Sequence, residues 1–404
     1  MIVELLIVED DADTMEEVSD YFLQILPDLV VVAATLVVQA AGVWWILRRV
    51  TPGAGPTRRM ILGGMAASAT LLLVGLLLRF NAVSRHFPAW LPGWGRGLVI
   101  AYALLSMAWL AIFVLTEPFT RRRAEHRPSR RRFLRTAQAA LMGAPAAALG
   151  YGTFIGRKQI SLREQRVVIP ELPPDLDGLR IVQLTDIHLS SFLSRGELDH
   201  AVALANESRA HIAVVTGDLI SSARDPLDDC LDSLGALRAE AGVFGCLGNH
   251  EIYARAERHT ELEGARRGLR FLRGTAVPLR FGGTSLNLAG VDYQRSTRPY
   301  LRRAAGLVEP GSFNVLLSHN PDVFPVAARQ GYGLTLSGHT HGGQVRVEIL
   351  QADLNVARFY TPYVDGLYRL GPASIFVSRG IGTIGLPTRL GAPPEVALLH
   401  LCRT

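Results

Sequence analysis

The chain has 404 residues, 49% of them hydrophobic, and a formal net charge of +6. That length leaves room for two or three domains, and its cysteines (Cys230, Cys246 and Cys402) have no metal-type spacing and read as buried or incidental thiols with at most one disulfide. The basic balance does not point to nucleic acid, because the arginines cluster in short loops between apolar runs, where membrane topology accounts for them.

The first residues are acidic: Glu4, Glu9, Asp10, Asp11, Asp13, Glu16, Glu17 and Asp20, with no basic residue among them. "LLIVEDDADT" resembles the opening strand and acidic pocket of a response-regulator receiver, but too little chain follows to build that domain. Residues 1–28 are therefore expected to be an acidic extension. Three apolar runs free of formal charge follow, Leu29 to Leu47, Met60 to Leu78 and Leu98 to Leu115. At 1.5 Å per residue, about 19 residues cross the roughly 30 Å hydrocarbon core, so residues 29–115 are expected to hold three transmembrane helices. Trp44, Trp45, Trp90 and Trp94 lie at run ends, as interfacial anchors do.

Residues 116–136 form an expected cytoplasmic loop, with Arg121, Arg122, Arg123, Arg127, Arg130, Arg131, Arg132 and Arg135 against only Glu117 and Glu125. Arg48, Arg49, Arg58 and Arg59 separate the first two runs. The excess of positive charge in these loops places both in the cytoplasm, and the N-terminus and everything after residue 156 outside. Within the second loop, "SRRRFLR" (129–135) resembles a twin-arginine export signal, differing only at the final position, Arg135. That resemblance implies the twin-arginine export machinery as a partner. A fourth run, 137–156, is weaker, being rich in Ala and Gly with Pro145 inside, and "APA" at 144–146 offers a cleavage site.

From about residue 165 short β-rich runs alternate with helical stretches, Glu197 to Ser208 reading as a helix. Each of five runs ends in ligand-type residues. "LRIVQLTDIHL" ends in Asp186 and His188, "HIAVVTGDLI" in Asp218, and "AGVFGCLGNHE" in Asn249, His250 and Glu251. "FNVLLSHNPD" ends in His319, and "GLTLSGHTHGGQ" in His339 and His341. Open α/β sheets place their sites beyond such strand ends. Singly these are ordinary, since Asp-x-His caps turns and Gly-Asp is turn chemistry. Together they are not, because a core would not gather two aspartates, an asparagine and five histidines without partners.

The ordered set D-x-H, G-D, G-N-H-E, S-H-N-P and G-H-T-H-G-G-Q resembles the calcineurin-like metallophosphoesterases over residues 165–404. "GHTHGGQ" and "VSRGIGTIGLPTRLGAPPEV" particularly resemble the bacterial membrane-associated phosphodiesterase branch. The resemblance implies an α/β (α+β) domain, a β-sandwich flanked by helices, with a dinuclear metal site at the strand ends. Strand patterning alone does not distinguish one sheet from two. It also implies ligands: Asp186, His188 and His341 for one ion, Asp218 as the bridge, and Asn249, His319 and His339 for the other. His250 matches the histidine near the leaving group, and Gly338, Gly342 and Gly343 would let the backbone turn around the two histidines. The acidic residue frequent after G-D in the family is replaced here by Ser221 and Ser222, so a substrate role there is not carried over.

The implied cofactors are two divalent ions, and the mixed carboxylate, imidazole and amide set suits Mn, Fe or Zn rather than a calcium cage. Two ions close together can share a water, lower its pKa and clamp both oxygens of an in-line displacement. Asp218 and His250 are the expected catalytic residues, His250 serving the departing oxygen. The expected protein is a multi-pass phosphodiesterase of a bacterial inner (plasma) membrane with its catalytic domain on the extracytoplasmic side, and the anchor favours a lipid-linked phosphoester. Two alternatives stand beside it: hydrolysis of a UDP-diacylglucosamine pyrophosphate bond in lipid A synthesis, which needs a cytoplasmic site, and a metal-binding membrane sensor without turnover. A transporter is disfavoured because Gln39 is the only strongly polar side chain in the runs.

Overall fold

The structure is a computed structural model describing residues 12–48, 55–78, 80–88, 90–122, 128–295, 300–349 and 352–403. The acidic residues up to Asp11, and Arg49, Arg123, Glu125 and Arg127, lie outside them. The chain divides into two compact units, Met1–Gly150 and Tyr151–Thr404.

The first unit is helical: α1 (Ala12–Leu47), α2 (Gly55–Leu77), α3 (Asn81–Ser84), α4 (Trp90–Arg122) and most of α5 (Pro128–Phe154). Asp13, Glu16, Glu17 and Asp20 therefore lie on α1. "SRRRFLR" occupies the first turns of α5, which opens on Pro128, a residue whose fixed φ suits the first helical position. Among the described residues, four stretches are long and apolar enough to cross a membrane: Asp28–Leu47, Gly55–Leu77, Trp90–Glu117 and Arg132–Lys158. The polar Gln39 has a structural role, since its amide donates to Ser106 Oγ (3.0 Å) and accepts from Ser68 Oγ (2.7 Å), tying α1, α2 and α4 together.

The second unit begins with the end of α5, a 3₁₀ turn (Gly156–Lys158) and β1 (Ser161–Ile169), ahead of residue 165. Then come β2 (Arg180–Leu184), α6 (Arg195–Glu207), β3 (Ile212–Thr216), α7 (Leu227–Leu234), β4 (Val243–Cys246), α8 (Asn249–Tyr253), α9 (Glu257–Arg266), β5 (Leu269–Phe271), β6 (Thr275–Phe281), β7 (Thr284–Gly290) and β8 (Phe313–Leu317). The last elements are α10 (Phe324–Gln330), β9 (Leu334–Ser337), a hairpin of β10 (Arg346–Ile349) and β11 (Ala352–Asn355), then β12 (Gly366–Leu370), β13 (Ala373–Val377) and β14 (Glu395–Arg403).

Two six-stranded mixed sheets form, ordered β1-β14-β2-β3-β4-β5 and β12-β13-β9-β8-β7-β6. Side-chain alternation explains their packing. Ile181, Ile212 and Val214 join Leu288, Val315, Leu334 and Leu336 in one core between the sheets. Their neighbours Val182, Ala213 and Val215 face α6 and α7 in a second core. A third core packs α10 on the outer face of the other sheet. Helix α6 starts where Ser194 and Glu197 cap one another reciprocally, which satisfies amides the helix cannot. Gln183 donates to Thr216 Oγ1 (2.8 Å) and to the Ser337 carbonyl (2.9 Å), stitching the two sheets together at the ends that carry the ligand-type residues. All three cysteines are free, Cys230 and Cys246 buried and Cys402 half-buried.

Candidate metal centre

β2, β3 and β4 of one sheet and β8 and β9 of the other run their C-terminal ends to a common edge, delivering Asp186 and His188, Asp218, Asn249 and His250, His319, and His339 and His341. His188 Nε2 lies 3.1 Å from His341 Nε2 and 3.5 Å from Asp218 Oδ2. His341 Nε2 is 3.4 Å from Asp186 Oδ1. His319 Nε2 is 3.0 Å from Asp218 Oδ2, 4.0 Å from Asp186 Oδ1 and 3.2 Å from His339 Nδ1. Three groups of potential ligands result: Asp186, His188 and His341; His188, Asp218 and His250; Asp218, His319 and His339. Asp218 and His188 each belong to two of them.

The backbone is bent to make this possible. Asp186, His188, Asp218, His339 and His341 all have φ between 47° and 76°, the left-handed region that L-residues avoid at a cost of about 1–2 kcal/mol each. Neighbouring glycines make room. A Cβ at Gly248 would stand 2.1 Å from Asp218 Oδ1, and one at Gly338 2.2 Å from Asp186 Oδ2. Gly342 and Gly343 do adopt positive φ, but Gly338 does not. What it provides is close approach to Asp186 rather than a tight turn.

Hydrogen bonds orient each ring. His319 Nδ1 meets the Thr216 carbonyl (2.7 Å) and His188 Nδ1 the Ile220 carbonyl (3.2 Å), which leaves each Nε2 directed into the cluster. His250 Nδ1 meets the Ser221 carbonyl (2.8 Å), while its amide donates to Asp218 Oδ1 (3.0 Å). Two buried charged residues support the ligand-type side chains from behind. Buried Glu251 accepts from the amides of Asp218 (3.0 Å), Leu219 (2.7 Å) and Gly248 (2.8 Å). Buried Arg389 donates from Nη1 to the His341 carbonyl (2.8 Å) and from Nε to that of Gly382 (3.0 Å). The sequence signal for each was there, in "GNHE" and in the long late segment. Tyr253 packs on His250 and Tyr293 on His339, with ring centroids 5.7 and 5.4 Å apart, and no motif marked either.

Burial dominates the electrostatics. It holds His188 and His339 down to about 3 and raises Asp186 to about 6. Burial opposes ionisation of His319 as well, but the Asp218 carboxylate overrides it and lifts the imidazolium to about 10. Burial with Asp218 nearby pushes Glu251 up to about 7. Asn249 Oδ1 is buried with no hydrogen-bond partner. Such an acceptor costs about 1–3 kcal/mol unless a donor or cation meets it. Carboxylates, neutral imidazoles and an unpaired amide oxygen converging in this way fit divalent cations.

Residues 179–343 match the family model described as calcineurin-like phosphoesterase. A metallophosphoesterase of Helicobacter pylori is 30% identical over 64% of this chain and 70% of its own length. The chain belongs to the calcineurin-like phosphoesterase family. Escherichia coli phosphodiesterase YaeI is 28% identical, over 68% of this phosphoesterase and 99% of its own length. A Bos taurus transmembrane protein with a metallophosphoesterase domain is 31% identical, over 58% of this chain and 55% of its own. The phosphoesterase is thus a hydrolase of phosphoester bonds with metal-binding residues and membrane-type helices.

Proposed function

We propose that the protein is a membrane-anchored phosphodiesterase that holds two divalent ions and acts on a lipid-linked phosphoester outside the cytoplasm. The observation that carries the dinuclear reading is Asp218, which lies in one ligand group with His188 and His250 and in another with His319 and His339. Asp186, His188 and His341 would hold one ion, Asn249, His319 and His339 the other, and the Asp218 carboxylate both. Two such ions supply Lewis acidity and an activated water for in-line displacement at phosphorus.

The chain's own residues do the rest. Asp186 and Asp218 supply negative charge in a buried setting, where it attracts cations far more strongly than in water. His319 Nε2 lies 3.0 Å from Asp218 Oδ2, so a cation held by both would take the place of a proton shared between them. His250, tied through Nδ1 to the Ser221 carbonyl, presents Nε2 to the departing oxygen and donates when the ring is protonated. Tyr253 and Tyr293 give the rim aromatic faces for the non-reacting part of a diester.

The lipid and the orientation rest on the anchor and on the arginine-rich segments before and within α5. The full-length protein in manganese, assayed against monoesters, diesters and lipid pyrophosphates, tests the substrate class; metal content measured alongside should be two ions per chain. Turnover of monoesters alone, or a single bound ion, would overturn the reading. Alkaline phosphatase fused after residue 160 should be active and a fusion near Arg123 silent; the reverse pattern would place the site in the cytoplasm.

A further inference from the structure

The second unit carries an exposed apolar turn that its own core does not use. Between β11 and β12, Phe359 is 88% exposed, Tyr360 81% and Val356 61%. Arg358, also exposed, lies among them. Exposed apolar side chains grouped in one turn, unlike single scattered ones, mark a surface for interaction.

This turn is hydrogen-bonded to the candidate metal centre. Asn355, which caps it, donates to the Gly342 carbonyl (3.0 Å) beside His341, and the Ala357 amide closes the cap on Asn355 Oδ1 (3.0 Å). The same neighbourhood is joined to the end of the fourth apolar stretch. The Arg389 amide donates to the Gly152 carbonyl (3.1 Å), Thr153 and Thr388 hydroxyls meet at 2.6 Å, and Leu390 and Gln344 bond through their backbones (3.0 Å). Gly152 and Gly156 lie so close to Arg389 that a Cβ on either would stand 3.0 and 2.4 Å from its carbonyl oxygen. Within the second unit a chain of contacts therefore runs from residues 152–156, through Arg389 and His341, to the aromatic turn.

We infer that Val356, Phe359 and Tyr360 dock into the bilayer surface that the anchor enters, and so hold the rim of the metal centre at the level of lipid headgroups. The occupant is the membrane rather than a protein because the chain itself carries membrane-type helices, the last of which leads straight into this unit at Tyr151. Aromatic residues with an adjacent arginine also match an anionic interface. The inference rests on the phosphoesterase reading and narrows it to phosphoesters presented in the plane of a bilayer.

Spin-label accessibility tests the docking directly. The full-length protein with Cys402→Ser, in which the remaining native cysteines are buried, receives Phe359→Cys or, as a solvent control on α9, Leu262→Cys. Each is labelled with a nitroxide in nanodiscs of phosphatidylcholine and phosphatidylglycerol. The label at 359 should be accessible to oxygen and shielded from a water-soluble nickel chelate, and the label at 262 the reverse. Equal nickel accessibility at the two positions overturns the inference. In a second arm, Phe359→Ser/Tyr360→Ser should lower the ratio of turnover on a bilayer-embedded diester to that on a soluble nitrophenyl diester by about tenfold. An unchanged ratio overturns it too. If the unmodified protein hydrolyses neither ester, the phosphoesterase reading fails while the label accessibility still decides the docking.

Discussion

Arg389 grips His341 by its backbone: the guanidinium donates to the His341 carbonyl at 2.8 Å, from a position 48 residues further along the chain. It also serves the carbonyls of Gly382 and Arg379, and it is the largest fully buried side chain among the described residues. A guanidinium meets several carbonyls in one plane, which an ammonium cannot do.

Arg389→Lys should leave the fold intact while weakening manganese binding by about 10- to 100-fold, the usual effect of removing a group that orients a ligand. Isothermal titration of the metal-free protein measures it. Unchanged affinity would mean that Arg389 fills space and no more.

The helix end should matter to the same site. In Gly156→Val the new side chain meets the Arg389 carbonyl at far below contact distance. Overpacking of this kind costs about 1–3 kcal/mol. The variant should lose that much in urea unfolding of the second unit and should show weakened manganese binding in the same direction as Arg389→Lys.

Asp218→Asn should reduce turnover by several orders of magnitude, because the carboxylate common to two ligand groups becomes a neutral amide. Metal content should fall below two ions per chain. Circular dichroism should stay unchanged, since the amide is nearly isosteric. Near-normal activity with a full complement of manganese would contradict the shared role.

His250→Ala should keep its metals and slow alkyl esters far more than nitrophenyl esters, whose leaving group needs little proton assistance. A leaving-group series reads this as a steeper dependence of rate on leaving-group pKa. Equal slowing across the series would instead assign His250 to phosphate binding or metal support.

His188 carries φ of 47°, a conformation that glycine adopts freely. In chelator, where its ligand role is silent, His188→Gly should therefore be more stable than His188→Ala by about 1 kcal/mol. Equal stability of the two in thermal unfolding would show that the backbone relaxes once the imidazole is gone.

The sequence by itself determined the parts of this protein that are local. Four apolar stretches are legible because crossing a bilayer takes a run of about 20 residues whatever lies around it. The ligand-type residues are legible because each sits within a few positions of a hydrophobic strand end: Asp186 and His188 after β2, Asp218 after β3, His339 and His341 after β9. Tertiary structure alone decided what depends on distance along the chain. In β3 every residue is buried, so its pattern carries no sign of which neighbours face the second sheet and which face α6. Glu251 is marked by "GNHE", but that motif does not say that its carboxylate collects the amides of Asp218 and Leu219, 33 and 32 residues earlier. Gly152 and Gly156 read as weakness in the fourth apolar run, whereas in the fold they are the surface on which Arg389 rests. A short motif is selected by the turn and the ligand it must present, and so survives as a pattern. A packing contact is selected by whatever the fold brings opposite, and that partner is absent from the local sequence.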